Sequence, residues 1–143
     1  MNISQISVFV ENRLGTLKEI TAVLRDNNID IRALSIADTT DFGILRLIVG
    51  HPERAADLLK KAGFTVSVTS VVAVGIDDKP GALHDVLEML SDAEIAVEYA
   101  YAFITRKHDG AYVILRVEDI ERASEVLKKG GIHVLDGEEV YSI

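Results

Sequence analysis

The chain has 143 residues, no cysteine and a formal net charge of −8. These totals exclude a disulfide framework, a thiolate metal site and a cysteine nucleophile. The acidic balance disfavours binding to a nucleic-acid backbone, and the excess of acid lies in residues 73–143, which hold 7 basic and 15 acidic residues. No apolar run approaches the ~18 residues of a membrane span, and no signal peptide opens the sequence. A cytoplasmic location is therefore the expectation.

The first half of the sequence predicts a strand, a helix, a hairpin and a second helix. An apolar alternation from Ile6 to Val10 has the period of a strand. A helical stripe then runs to Asp26 and consists of Leu17, Ile20, Val23 and Leu24. Two β-rich runs, Ile29 to Ala37 and Phe42 to Val49, predict the hairpin. Pro52 suits the first turn of the second helix, and Gly63 ends it.

The second half repeats the first at an offset of 66 to 68 residues. "VENRLGTLKEI" from Val10 matches "IDDKPGALHDV" from Ile76, and "ERAADLLKKAGF" from Glu53 matches "ERASEVLKKGGI" from Glu121. Asp109-Gly110 predicts a tight turn in the second hairpin. The second helix of this half is expected from Asp119 to Lys129, with Gly130-Gly131 as its stop.

The order β-α-β-β-α-β predicts an α+β fold, a ferredoxin-like sandwich with helices on one face of an antiparallel sheet. Because the order occurs twice, we expect two such sandwiches in tandem, at residues 1–69 and 70–143. The run from Phe64 to Asp77 contains no proline and no spacer. It must therefore supply the last strand of one unit and the first strand of the next.

Each unit places a glycine, Gly15 or Gly81, between its first strand and first helix. A helix start leaves backbone N–H groups without partners and carries partial positive charge, so it binds anions. A glycine lets a ligand come close to the backbone. Asn12 and Asp78, three residues earlier, either cap the helix or accept hydrogen bonds from a ligand ammonium. A carboxylate and an ammonium held together describe an α-amino acid; a plain structural turn is the alternative.

With these corners the whole chain resembles the ACT domain family, as two tandem copies. Members are small-molecule sensing modules attached to enzymes of amino-acid metabolism. The segments "NNIDIRALSI" and "AEIAVEYAYA" add to the likeness and place an isoleucine at the start of each second strand. "DKPGAL" matches the family's Asp/Asn-x-Pro-Gly-x-Leu corner fully, whereas Leu14 replaces the proline in "NRLGTL". If one corner alone is occupied, the second is therefore expected to be that corner.

The resemblance implies an amino-acid ligand between paired units, with each corner facing the second strand of the other. Corner one is then Asn12, Arg13, Leu14 and Gly15. It would face residues 95–99, among them Ile95, Val97 and Tyr99. Corner two is Asp78, Lys79, Pro80, Gly81 and Ala82. It would face residues 29–33, among them Ile29 and Ile31. Most of these contacts would be made by backbone groups. Tyr99 and Tyr101 either line a pocket or serve packing.

We expect no catalytic residue, no cofactor and no metal site. His84 and Glu88 lie four apart on a predicted helix, but without a third ligand they indicate an exposed surface pair. The other histidines, His51, His108 and His133, show no ligand spacing. No phosphate loop, nucleotide fingerprint or hydrolase elbow occurs. An acylphosphatase would need an arginine-bearing phosphate loop; Arg13 fits this, but the second copy has Lys79.

Two functions follow from the resemblance. The first is a non-catalytic sensor, expected as a homodimer, that binds a free amino acid and signals to a partner enzyme of amino-acid metabolism. The second is an obligate small regulatory subunit of a biosynthetic enzyme, because "VENRLGTL" with "NNIDIRALSIADT" also looks like the small subunit of acetolactate synthase. The clean repeat of the corner in the second half counts against this alternative. In both, the ligand acts by binding one packing of the units better than another.

Overall fold

Seven strands and five helices occur in the computed structural model, which describes residues 2–104 and 110–142. The chain divides into two compact units. Ser4–Thr69 forms the N-terminal unit, and Ser70–Ile143 together with Met1–Ile3 forms the C-terminal unit. Within the described ranges, no helix combines the length and apolar character that a bilayer span requires.

The N-terminal unit has the expected β-α-β-β-α-β order. Its elements are β1 (Ile3–Glu11), α1 (Thr16–Asp26), β2 (Ile31–Asp38), β3 (Phe42–Val49), α2 (Pro52–Lys61) and the beginning of β4 (Thr65–Asp77). The strand order is β2-β3-β1-β4, with β3 antiparallel to both β1 and β2. The second helix and the second strand of the hairpin therefore lie where the sequence predicts them, whereas the first strand begins two residues later than predicted.

The C-terminal unit repeats this topology and adds one helix. Its elements are the rest of β4, α3 (Ala82–Asp92), β5 (Tyr99–Ala102), β6 (Gly110–Arg116), α4 (Ile120–Lys129), β7 (His133–Val134) and α5 (Gly137–Tyr141). The strand order is β7-β4-β6-β5, antiparallel throughout. Strand β4 contributes residues to both units, as the uninterrupted run from Phe64 to Asp77 predicted. Asp109 of the expected Asp109-Gly110 turn lies outside the described residues.

The two hydrophobic cores are built from the same positions of the repeat. Every buried residue of the second core corresponds to a buried residue of the first at an offset of 66 or 68. The pairs are Ile6 and Val72, Val8 and Val74, Ile20 and Val86, Leu24 and Leu90, Ile29 and Ile95, Leu45 and Val113, Leu47 and Leu115, Val49 and Val117, Ala55 and Ala123, and Leu59 and Leu127. Both units thus bury one face of the sheet against two helices, which confirms the α+β ferredoxin-like fold.

All four longer helices end in a Schellman turn, in which a left-handed residue follows the C-cap. Glycine takes this position after α2 and α4, at Gly63 and Gly131, where φ is 96° and 84°. Asn28 and Glu94 take it after α1 and α3, with φ of 55° and 59°. The residue that follows donates its N–H back to the last turn of the helix. In α1 the donor is Ile29, whose N lies 2.9 Å from the carbonyl oxygen of Leu24.

This turn corrects the predicted start of the second strand in each unit. We expected strands from Ile29 and Ile95, but β2 begins at Ile31 and β5 at Tyr99. Ile95 N donates to Leu90 O over 2.8 Å, so it belongs to the end of α3 as Ile29 belongs to the end of α1. Both isoleucines anchor the turn by burying their side chains in the core.

Candidate functional site

Each glycine corner is a left-handed entry into a helix. Gly15 and Gly81 are the N-cap residues of α1 and α3, with φ of 88° and 93°. A Cβ built on either would meet no atom within 4 Å. Glycine is therefore needed here for its backbone conformation, which L-residues rarely adopt. The space in front of the corner is open, as an approaching ligand requires.

The corners present backbone donors. In corner two, the N–H of Lys79 bonds Asp77 O at 3.0 Å, and that of Ala82 bonds Lys79 O at 3.3 Å. The N–H groups of Leu83 and His84, in the first turn of α3, have no hydrogen-bond partner within residues 2–104 and 110–142. The N–H groups of Leu17 and Lys18, in the first turn of α1, likewise have no hydrogen-bond partner in the described part of the chain. Free amides at a helix start are suited to an anion.

Asn12 and Asp78 do not cap the helices, contrary to one of the two roles considered for them. In the described part of the chain, neither side chain accepts a hydrogen bond from the first turn of its helix. Asn12 Nδ2 instead donates to the carbonyl oxygen of Thr40 over 3.0 Å, and its backbone N–H donates to Asp41 O over 2.8 Å. Asn12 therefore ties corner one to the β2–β3 turn, which the local sequence could not show.

Arg13 gives corner one an ion-pair arrangement that corner two lacks. Its Nη1 and Nη2 lie 3.4 and 3.2 Å from the two carboxylate oxygens of Glu19, and its Nε lies 3.7 Å from Glu11. The hydrogen bond and charge of Glu19, with a smaller contribution from Glu11, raise the pKa of Arg13. Lys79 in corner two pairs with Asp77 at 3.8 Å.

The remaining predicted site residues fall into two groups. Leu14, Pro80 and the other residues before the glycines are exposed, and Leu14 is fully so. Ala82 is buried, as are Ile29 and Ile95, and Ile31 and Val97 pack against the edges of the cores. Tyr99 is half-buried and stacks on Tyr101 with ring centroids 6.4 Å apart. The corners are thus accessible, whereas most of the strand side chains serve packing.

Two residues that stabilise corner one, Thr16 and Glu19, were not predicted from the sequence. Thr16 is buried, and its hydroxyl donates to the carbonyl oxygens of Glu11 and Arg13, both at 3.2 Å. Glu19, three residues after Thr16, binds the guanidinium of Arg13. The sequence does contain a pattern that could have indicated them: Thr16 and Glu19 form a Thr-x-x-Glu motif at a helix start, which is typical of helix capping. Corner two has Ala82 and Asp85 at these positions.

The histidines that the structure describes form no recognisable metal centre. His84 Nε2 lies 3.4 Å from Glu88 on the exposed face of α3, as expected for a surface pair. His133 pairs with Glu139 at 3.2 Å, and His108 lies outside the described residues. No group of three or more histidine or carboxylate side chains in residues 2–104 and 110–142 is placed to hold a metal ion.

A duplicated ferredoxin-like unit with a glycine corner at the start of each first helix defines a class of small regulatory modules. The family model described as "ACT domain pair" matches residues 1–143. The chain therefore belongs to the ACT domain pair family, and its two units are ACT domains, which are regulatory modules. None of the curated proteins matches the sequence significantly.

Solved structures agree with this assignment. The chain is similar to the protein BT0572 of Bacteroides thetaiotaomicron, with 39% identity, a TM-score of 0.93 and coverage of 100% of this chain and 98% of that chain. The regulatory subunit of aspartate kinase from Thermus thermophilus, solved without ligand, is 13% identical with a TM-score of 0.66, over 90% and 93% of the chains. Its counterpart from Thermus flavus is 12% identical with a TM-score of 0.63, over 90% and 92%. The two Thermus proteins share the fold.

Proposed function

We propose that this chain is a non-catalytic sensor that binds a free amino acid at its glycine corners and signals to a partner enzyme of amino-acid metabolism. Residues 1–69 and 70–143 are its two domains, and it works in the cytoplasm as a homodimer. The single observation that carries the proposal is the duplicated left-handed corner, with open space before the glycine and free N–H groups in the helix start behind it.

The chemistry of the corner suits the two charges of an amino acid. Free N–H groups and the positive end of the helix dipole favour the α-carboxylate. The carboxylates of Glu11 and Asp77, which end the strands before the corners, favour the ammonium. Each corner also carries a cation, Arg13 or Lys79. Because these groups pair with the α-carboxylate and the ammonium, the corner recognises the part that all amino acids share.

A thermal-shift screen of the twenty proteinogenic amino acids tests this function directly. A ligand that binds only the folded state stabilises it by RT ln(1 + [L]/Kd), about 2.7 kcal/mol at a hundred times Kd. We expect at least one amino acid to raise the melting temperature at millimolar concentration. Absence of a shift for all twenty, checked by calorimetry, would contradict the proposal.

Variants of the glycines locate the site. Gly81→Ala and Gly15→Ala force an L-residue into a left-handed conformation, so we expect each to destabilise the fold by about 1–2 kcal/mol and to weaken ligand binding at its own corner at least tenfold. Ile6→Val, in the core, is the control for lost stability, since such a change costs about 0.5–1.5 kcal/mol. Full affinity and stoichiometry in both glycine variants would show that the ligand binds elsewhere.

The second candidate is an obligate regulatory subunit of a biosynthetic enzyme such as acetolactate synthase. The apolar edge strand β2 favours a protein partner, because Leu34 and Ile36 are 42% and 44% exposed there. Exposed apolar side chains on an edge strand favour pairing with another chain. Size-exclusion chromatography with light scattering separates the two. A stable dimer that binds its ligand alone supports the sensor, and stable co-purification with a catalytic subunit supports the alternative.

A further inference from the structure

A pocket lies beside the glycine corner in each unit, at the same place in the repeat. The pocket of the N-terminal unit has a volume of about 230 Å³ and that of the C-terminal unit about 320 Å³. Eight of the nine lining positions in each correspond through the offsets of 66 and 68. They come from the end of the strand before the corner, the corner's cation, the first residue of the helix and the turn after the second helix. The fold thus builds this cavity twice.

Both pockets pair an acidic and a basic side chain at the same positions. Glu11 Oε2 lies 3.7 Å from Arg13 Nε, and Asp77 Oδ2 lies 3.8 Å from Lys79 Nζ. Exposed pairs at such distances contribute little to stability, about 0–1 kcal/mol. A zwitterion can therefore bridge them, with its ammonium on the carboxylate and its carboxylate on the cation, at small energetic loss.

Arg13 retains donors for such a carboxylate. A guanidinium has five N–H groups. Within the described chain, the partners of Arg13 are Glu19, through Nη1 and Nη2, and Glu11, through Nε. Two Nη hydrogens are left, and Glu19 fixes the plane in which they lie. The side chain is 52% exposed, so a ligand reaches it from solvent.

Aromatic side chains distinguish the N-terminal pocket from its counterpart. Phe9 and Phe42 line it, stack with ring centroids 5.4 Å apart, and are 50% and 46% exposed. Phe64 also lines the pocket and packs against the core. A ligand ring in this pocket would have aromatic neighbours with which it can stack or make an edge-to-face contact.

The C-terminal pocket has lost these rings. Gly75 replaces Phe9, Ile132 replaces Phe64, and no described residue of the pocket corresponds to Phe42. A Cβ on Gly75 would lie 3.3 Å from the ring of Tyr112 and 3.4 Å from that of His133. The space that a side chain would take at this position is therefore already bordered by two other side chains. The two pockets share their charges but differ in the aromatic side chains that line them.

We propose that the N-terminal pocket binds an α-amino acid with an aromatic side chain. Arg13 and Glu11 contact the charged end of this ligand, and Phe9 and Phe42 contact its ring. This inference rests on the proposed function and names the ligand class of one corner. The C-terminal pocket holds the same charged end but lacks the aromatic partners for the ring.

Calorimetry with L-phenylalanine on the full chain is the test. We expect binding that is at least tenfold tighter than that of L-alanine, and at least tenfold weaker for 3-phenylpropionate, which lacks the ammonium that Glu11 would hold. Phe9→Leu removes the ring and keeps an apolar side chain, and Arg13→Gln removes the charge. Each should weaken L-phenylalanine binding at least tenfold. Arg25→Gln, which breaks one exposed pair with Asp26 away from the pocket, should leave the affinity unchanged.

The outcomes separate this inference from the proposed function. If a non-aromatic amino acid binds and L-phenylalanine does not, the sensor function stands and the aromatic pocket is wrong. Binding of L-phenylalanine that both Phe9→Leu and Arg13→Gln leave unchanged also overturns the pocket. If none of the twenty amino acids binds, both proposals fail. Melting temperatures within about 3 °C of the wild type show that the variants are folded, since 1 kcal/mol shifts Tm by about 2–8 °C.

Discussion

Arg54, on α2, donates a hydrogen bond through Nη1 to the carbonyl oxygen of Asn27, the C-cap of α1, over 2.9 Å. The repeat makes the same contact again: Arg122, on α4, donates through Nη2 to the carbonyl oxygen of Ala93, the C-cap of α3. A cation here complements the negative end of the helix dipole and pairs a carbonyl that the helix leaves open. Each second helix therefore holds the turn through which the chain leaves the first helix.

Removing this cation should loosen both turns. We expect Arg54→Gln and Arg122→Gln each to lower the free energy of unfolding by about 1 kcal/mol, the scale of a typical intramolecular hydrogen bond, because both bonds are exposed. Urea denaturation measures the loss. Arg25→Gln is the matched control, because its single exposed ion pair should contribute less than about 0.5 kcal/mol.

Hydrogen exchange gives the local readout for the same variants. The N–H of Ile29 and Ile95 should exchange faster in the respective variant, since each closes the turn that the arginine holds. Equal exchange rates in the variant and the wild type would show that the arginine does not hold the turn.

Glu94 is in a conformation that suits glycine better. It has φ of 59° at the position that Gly131 occupies after α4. Glutamate in the left-handed region is strained by about 1 kcal/mol or more, whereas asparagine tolerates it. We therefore expect Glu94→Gly to raise the free energy of unfolding by about 0.5–1 kcal/mol, and Asn28→Gly to change it less. Thermal denaturation measures both.

The reverse substitution is the control for this prediction. Gly131→Ala places an L-residue at φ of 84° without any steric contact, so it should destabilise the protein by about 1 kcal/mol. A destabilised Glu94→Gly protein would mean that the glutamate side chain contributes more than its backbone strain removes.

The sequence predicted the cores and the order of elements well, for a physical reason. In each unit one face of the sheet is buried against two helices, so burial follows the periods of 2 and 3.6 residues along the chain. Core positions such as Leu24 and Leu90 or Leu59 and Leu127 can therefore be identified from the sequence. The repeat supports each assignment a second time, because the matching position in the other unit is also apolar. The positions of the glycine corners could also be predicted, because a helix that begins with a left-handed residue favours glycine there.

What the sequence did not show depends on contacts between distant residues or on unusual backbone. Glutamate is rarely found at positive φ, the conformation that Glu94 has, so the sequence predicts the start of a strand where the turn after α3 lies. Asn12 contacts Thr40, 28 residues away, and no local pattern records that bond. Helix α5 is five residues long and buries one large apolar side chain, Val140, so it has too little periodicity to be detected.

The hydroxyl of Thr16 should matter more than that of any exposed threonine. Thr16→Val keeps the shape of the side chain but leaves two carbonyl oxygens of corner one, those of Glu11 and Arg13, without this donor. We expect a loss of about 1 kcal/mol, because the site is buried. Thr21→Val is the matched control: Thr21 also bonds two helix carbonyls, those of Leu17 and Lys18, but it is exposed.

Guanidinium denaturation of both threonine variants decides the point. A Thr16→Val protein as stable as Thr21→Val would show that the Thr16 hydroxyl adds nothing to the backbone bonds from Arg13 to Glu11 and from Thr16 to Arg13.

Asp136 should control helix α5. Its carboxylate accepts the N–H of Glu139 over 2.8 Å, and Glu139 returns a bond to the N–H of Asp136 over 3.0 Å, which makes a capping box. A helix of five residues is marginal without such help. We expect Asp136→Ala to lower the free energy of unfolding by about 1 kcal/mol and to speed the exchange of the Val140 N–H, which bonds Asp136 O at 3.1 Å. Asp136→Asn retains an acceptor and a good N-cap, so its exchange should stay close to the wild type. If alanine and asparagine have the same effect, the helix is held by the burial of Val140 and not by its cap.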